Sequence, residues 1–169
     1  MQPEPGTIWR TIETWRPATA LAESLWAFPA VETMHVVGLV TVFGTILVVD
    51  LRLMGLASRT TEVKRLMGDV LPWTWSAFAL AALSGLAMFA SHASLYVANP
   101  WFLAKMGLLA LAGLNMAIFQ FATTRRGHSL PAGATPPHRA RVAGALSLVL
   151  WVAVVFCGRA IGFTLGIYS

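Results

Sequence analysis

The sequence predicts an all-α integral membrane protein, a four-helix bundle preceded by an interfacial amphipathic segment. Three observations carry this. Hydrophobic residues make up 57% of the chain and charged residues only 11%, with a mean hydropathy of +0.68, far more apolar than a soluble core requires. Four uninterrupted apolar stretches, at about 30–51, 72–95, 100–123 and 142–167, each reach the roughly 20 residues that one helical crossing needs. None alternates apolar and polar positions as a membrane barrel strand does. In lipid the backbone must satisfy its own polar groups, which leaves helices.

Residues 1–29 form a unit of their own. Ile8, Trp9, Ile12 and Trp15, then Leu21, Leu25 and Trp26, recur at near-helical spacing among polar residues, and Pro17 suits the first turn of a second short helix. The segment is expected to lie along the periplasmic membrane surface, or to be a partly ordered tail, since amphipathic pieces this short are marginal on their own. It carries neither a basic n-region nor a small-residue cleavage site before the first apolar run, so that run is expected to act as its own anchor. Residues 30–169 are the four-helix membrane domain. The connection "SLPAGATPP" at 129–137 reads as a flexible loop.

The charges set the topology. The net charge is +5, and eight of the twelve Lys and Arg residues flank two connections: Arg52, Arg59, Lys64 and Arg65, then Arg125, Arg126, Arg139 and Arg141. The connection at 93–99 has none. The positive-inside rule therefore puts the first and third loops in the cytoplasm and both termini in the periplasm. This distribution argues for membrane orientation and against nucleic acid.

Counted from the cytoplasmic flanks, the polar residues inside the spans fall at similar depth. Arg52 to His35 is 17 residues, Pro72 to His92 is 20, Thr123 back to Lys105 is 18 and Arg141 to Arg159 is 18. At the helical rise this depth is about 26 to 30 Å, near the outer edge of a hydrocarbon core about 30 Å thick. Two imidazoles and two cations in one layer point to haem b, with His35 and His92 as axial ligands and Lys105 and Arg159 balancing the propionates. Ala77, Ala81, Gly85, Met88 and His92 recur every three or four residues on the second span; the small ones suit either a flat macrocycle or close helix packing.

Each residue also has a plainer role open to it. His35 can hydrogen-bond a neighbouring helix, His92 can face outer water, and Lys105 can snorkel to the headgroups. Glu32 lies one turn outward of His35 and can pair with a cation. His128 and His138 fall in the polar cytoplasmic loop. Cys157, the only cysteine, is about 200° around the helix from Arg159 and suits packing or lipid contact. Met34, Met88 and Met106 suit gap filling, although Met88 keeps a His/Met axial pair open.

The expected function is electron transfer between a membrane carrier such as quinol and a periplasmic redox partner or a larger subunit of the same complex. Copper bound by His35, His92, Glu32 and a methionine is the second candidate. The third is non-redox, a small-anion transporter or an accessory subunit; four helices are few for a transporter, so a homo-oligomer is expected there. No nucleophile–base pair, phosphate-cradling glycine loop or zinc spacing is present to support hydrolytic or nucleotide chemistry.

The run "LWAFPAVETMHVVGLVTVFGTILVVDLRLMG" at 25–55, the "SG" at 84–85, Lys105 in "PWFLAKMGLLALAGLN" and Arg159 in "GRAIGF" resemble a family of small bacterial inner-membrane proteins described only as hypothetical. The resemblance covers most of the chain and implies four helices in a bacterial inner membrane, with no activity attached. In helix number and paired membrane histidines the chain is more loosely similar to small b-type cytochromes.

The charge distribution makes the first prediction. Reporter tags at residues 1 and 169 should both report from the periplasm and one inserted at Gly133 from the cytoplasm; a cytoplasmic C-terminus would remove the common layer.

Overall fold

The structure is a computed structural model and describes residues 8–57, 63–126, 133, 135–165 and 167. Arg59, His128 and most of the 129–137 loop, all singled out above, lie outside the described residues. Among the described residues the chain forms helices α1 (Ile8–Glu13), α2 (Arg16–Glu23), α3 (Ala27–Met54), α4 (Val63–Ser91), α5 (Ala93–Ala98), α6 (Pro100–Arg126) and α7 (His138–Thr164). Four of them, α3, α4, α6 and α7, are long and apolar enough to cross a membrane. The protein is an all-α membrane bundle.

The spanning helices run past the apolar stretches into their polar flanks, because a helical backbone satisfies itself in lipid and water alike. The largest extension is α4, which starts at Val63 and continues through Pro72. Proline has no N–H for the carbonyl four residues back, and that carbonyl belongs to Gly68. The same helix stops at Ser91, short of the expected 95, and residues 93–98 form the separate helix α5. Other ends carry local signals. Gly55 closes α3 at φ 78, in the left-handed region that a residue without Cβ enters freely, and the Leu56 N–H reaches the Leu51 carbonyl at 2.9 Å. Asn99 opens α6: its Oδ1 accepts the Trp101 N–H at 2.9 Å, and Pro100 takes the first helical position.

Helix α3 is central, packing on α4 along one side and on α7 along the other, while α6 packs on α7. Between α4 and α6 the described residues make no comparable backbone approach; side chains bridge them, with the Phe89 and Phe102 rings stacked at 5.5 Å. The middle of the bundle is filled by Val42, Ala77, Ala112, Leu150, Trp151 and Val154. Thr74 donates to the Thr45 hydroxyl across α3–α4 at 2.9 Å, and Asn115 Nδ2 donates to the Ala143 carbonyl across α6–α7 at 3.1 Å. At one end α1 and α2 lie against α4 and α5, with Glu13 Oε1 accepting both the N–H and the hydroxyl of Ser94 at 2.7 Å.

The tightest approach joins α3 to α4. A Cβ at Gly38 would come within 3.0 Å of both the Ala77 carbonyl oxygen and the Ala81 nitrogen, which are backbone atoms that cannot swing aside. At Gly107 a Cβ meets nothing within 4 Å. Gly38→Ala should therefore lower the thermal unfolding midpoint in detergent, by the equivalent of about 1–3 kcal/mol for overpacking. Gly107→Ala should leave the midpoint unchanged or raise it. Equal effects would contradict the close α3–α4 seam.

Candidate functional site

His35 faces α4. Its Nδ1 lies 2.7 Å from the Ala81 carbonyl oxygen and 3.3 Å from Ser84 Oγ. A carbonyl only accepts, so the bond puts the ring proton on Nδ1 and leaves Nε2 with a free lone pair. Ser84 in turn donates back to the Leu80 carbonyl at 2.6 Å, which fixes its hydroxyl beside the ring. The imidazole lies on Gly85, where a Cβ would stand 2.9 Å from Cε1 and 3.2 Å from Nδ1. The stripe Ala77, Ala81 and Gly85 is thus occupied by α3 itself, through Gly38 and His35. Close helix packing accounts for these small residues without a macrocycle.

Lys105 enters from α6. Its ammonium lies beside the backbone of α7, 3.7 Å from where a Cβ at Gly158 would stand, and within electrostatic reach of Cys157 and of His35. Cys157 is buried, as packing requires. Glu32 is exposed on α3 and acts electrostatically on both His35 and Tyr96. Tyr96, on α5, is buried among aromatic rings, and burial first, with the Glu32 carboxylate second, pushes its phenol above the usual range.

His92 and Arg159 are placed differently from the expected single layer. His92 occupies the break between α4 and α5, at φ −146 and ψ 44, with its ring edge-on to Phe28 at 5.4 Å. Phe28 precedes His35 by seven residues on α3, and His92 follows Gly85 by seven on α4, so the two imidazoles are offset by two turns, about 10 Å along the helices. Depth counted from Pro72 missed this because α4 begins nine residues earlier and ends before His92. The His92 Nδ1 is buried with no hydrogen-bond partner among the described residues. Arg159 is exposed on the face of α7 opposite the buried Cys157 and Ile161, its guanidinium 4.4 Å from the centroid of the Phe163 ring. Lys105 therefore lies within electrostatic reach of His35, and His92 and Arg159 stand apart. His138 is the exposed first residue of α7.

Asn99, Ser84 and Asp50 are among the buried polar residues that escaped sequence reasoning. Asn99 is 0% exposed and ties two helix ends together, donating from Nδ2 to Thr164 Oγ1 at 3.0 Å. Ser84 sits against the His35 ring, and the pair "SG" at 84–85 was its only sign. Asp50 is buried in α3 with a hydrogen bond to Ser147, inside the expected 30–51 span, where sequence reasoning gave it no role.

Fold and site together define a multi-pass helical membrane protein with an oriented imidazole and an ammonium inside its bundle. Residues 25–164 match a family of unknown function (DUF6644), and the chain belongs to that family. No curated protein and no solved structure matches it.

The contact between Gly85 and His35 gives a prediction that changes sign with background. The three atoms nearest to a Cβ at Gly85 all belong to the His35 ring. Gly85→Ala should destabilise the wild type by about 1–3 kcal/mol. In a His35→Ala background the same change should stabilise, by up to about 1 kcal/mol of helix propensity. Thermal unfolding of the four proteins measures the coupling; simple additivity would mean that the ring does not rest on Gly85.

Proposed function

We propose that the protein is a haem b carrier of a bacterial inner membrane, passing single electrons between a membrane carrier such as quinol and a periplasmic partner, with both termini on the periplasmic side. The observation that carries this is the His35 hydrogen bond to the Ala81 carbonyl. Metal-ligating histidines typically donate their second ring nitrogen to a carbonyl or carboxylate, which fixes the tautomer and raises the basicity of the ligating nitrogen. His35 already has that arrangement on the protein side. Haem, when bound, supplies a one-electron Fe(III)/Fe(II) couple.

In this proposal His35 Nε2 would hold the haem iron and Lys105 would balance a propionate, since an ammonium in a helix bundle needs an anion nearby. His92, offset by two turns and packed on Phe28, is not needed as the second ligand, and Arg159 faces away. Copper is less well supported: among the described residues no three His, Cys, Asp or Glu side chains converge to hold a metal ion. Haem needs only one or two imidazoles because the porphyrin provides the other four donors.

Expression with added haem and an absorption spectrum of the purified full chain test the proposal. Wild type and His92→Ala should both carry a sharp Soret band, and His35→Ala should lose it. Lys105→Gln should keep the band but lower the midpoint potential, because an uncompensated propionate favours the more positive oxidised iron. The fall should be on the order of 50 mV, equivalent to about 1 kcal/mol for one electron. A colourless wild type under these conditions rejects haem, and loss of the band in His92→Ala alone would move the ligand to the break between α4 and α5.

A further inference from the structure

We propose that the outward face of α6 and α7 binds one anionic phospholipid, its phosphate on the Arg159 guanidinium and one acyl chain along α7. This does not rest on the haem proposal. Helix α7 runs from His138 to Thr164, 27 residues, or about 40 Å, against a hydrocarbon core of about 30 Å. Centred in that core, α7 places the Arg159 Cα about 3 Å inside one boundary, and a side chain of that length reaches the headgroup layer from there. Arg159 is exposed, and its contact within the described residues is the face of Phe163. A fixed cation at that depth seeks an anion, and the guanidinium fork matches a phosphate with two hydrogen bonds.

The surface around and below Arg159 is shaped for a chain. Trp101, Phe156, Arg159 and Phe163 line one depression, with Trp101 of α6 edge-on to Phe156 of α7 at 5.7 Å. Phe156 also belongs to the next depression, with Leu148, Val149, Val152 and Ala153. The two share that ring and form one strip from Arg159 to Leu148, eleven residues or about 16 Å long, cationic at the outer end and apolar along the rest. Asn99 Nδ2 donating to Thr164 Oγ1 holds the start of α6 to the end of α7, which keeps the upper wall in place. A lipid with net negative charge complements this better than a zwitterion, whose own ammonium competes for its phosphate.

Native mass spectrometry of the full chain in detergent, with equal amounts of dioleoyl phosphatidylglycerol and dioleoyl phosphatidylethanolamine, tests the site. Wild type should retain one phosphatidylglycerol preferentially. Arg159→Gln should weaken that retention about tenfold, the scale of one lost charge-assisted interaction. Ala153→Trp fills the strip with the arginine intact and should also weaken it, so a poorly folding Arg159→Gln would leave the question answerable. Arg139→Gln, exposed at the far end of α7, should retain lipid as wild type does. Unchanged retention in Ala153→Trp, or full displacement of the lipid by inorganic phosphate, overturns the proposal. So does loss of haem from Arg159→Gln in a preparation where wild type binds it, since that would place the arginine at the cofactor.

Discussion

Everything near the candidate site depends on how closely α3 lies on α4. Gly38 brings the two backbones together, and three residues earlier on the same face His35 lies on Gly85 and reaches the Ala81 carbonyl. In lipid no hydrophobic drive pulls helices together, so packing and polar contacts have to do it. The small residues Ala77, Ala81 and Gly85 serve this contact, and the imidazole is part of it. The same hydrogen bond that helps hold the helices fixes which ring nitrogen keeps its lone pair. Packing and chemical readiness therefore share one set of atoms.

The other side of the bundle is looser. Helix α6 leans on α7 and is bridged to α4 by side chains. Lys105 points from α6 towards the Gly158 backbone, within electrostatic reach of His35. An ammonium and an imidazole with a free lone pair, inside an apolar bundle, form an arrangement suited to a ligand that brings negative charge and accepts a nitrogen donor.

Much of the fold was legible in the sequence because crossing a membrane needs length and apolarity, and both are local properties. The four spans, the fold class and the two short helices of residues 8–23 follow from hydropathy and spacing. The ends were less legible, since helical backbone continues through Pro72 and into the charged flanks without a change in composition that marks the boundary. That error in α4 put His92 level with His35. Which face a residue takes was also hidden: Lys105 and Arg159 look alike in sequence, yet one turns towards the bundle and the other away. Asn99 and Ser84 gained their roles only from partners on other helices, at a sequence separation no local pattern records.

The central claim is that His35 is held with its proton on Nδ1 and Nε2 bare. Solid-state NMR of the ¹⁵N-histidine-labelled protein in lipid bilayers, with the His35 signals assigned by their loss in His35→Ala, measures this directly. The account predicts a protonated Nδ1 and an unprotonated Nε2 at neutral pH. A ring protonated on Nε2 with a bare Nδ1, or one exchanging between tautomers, would contradict it.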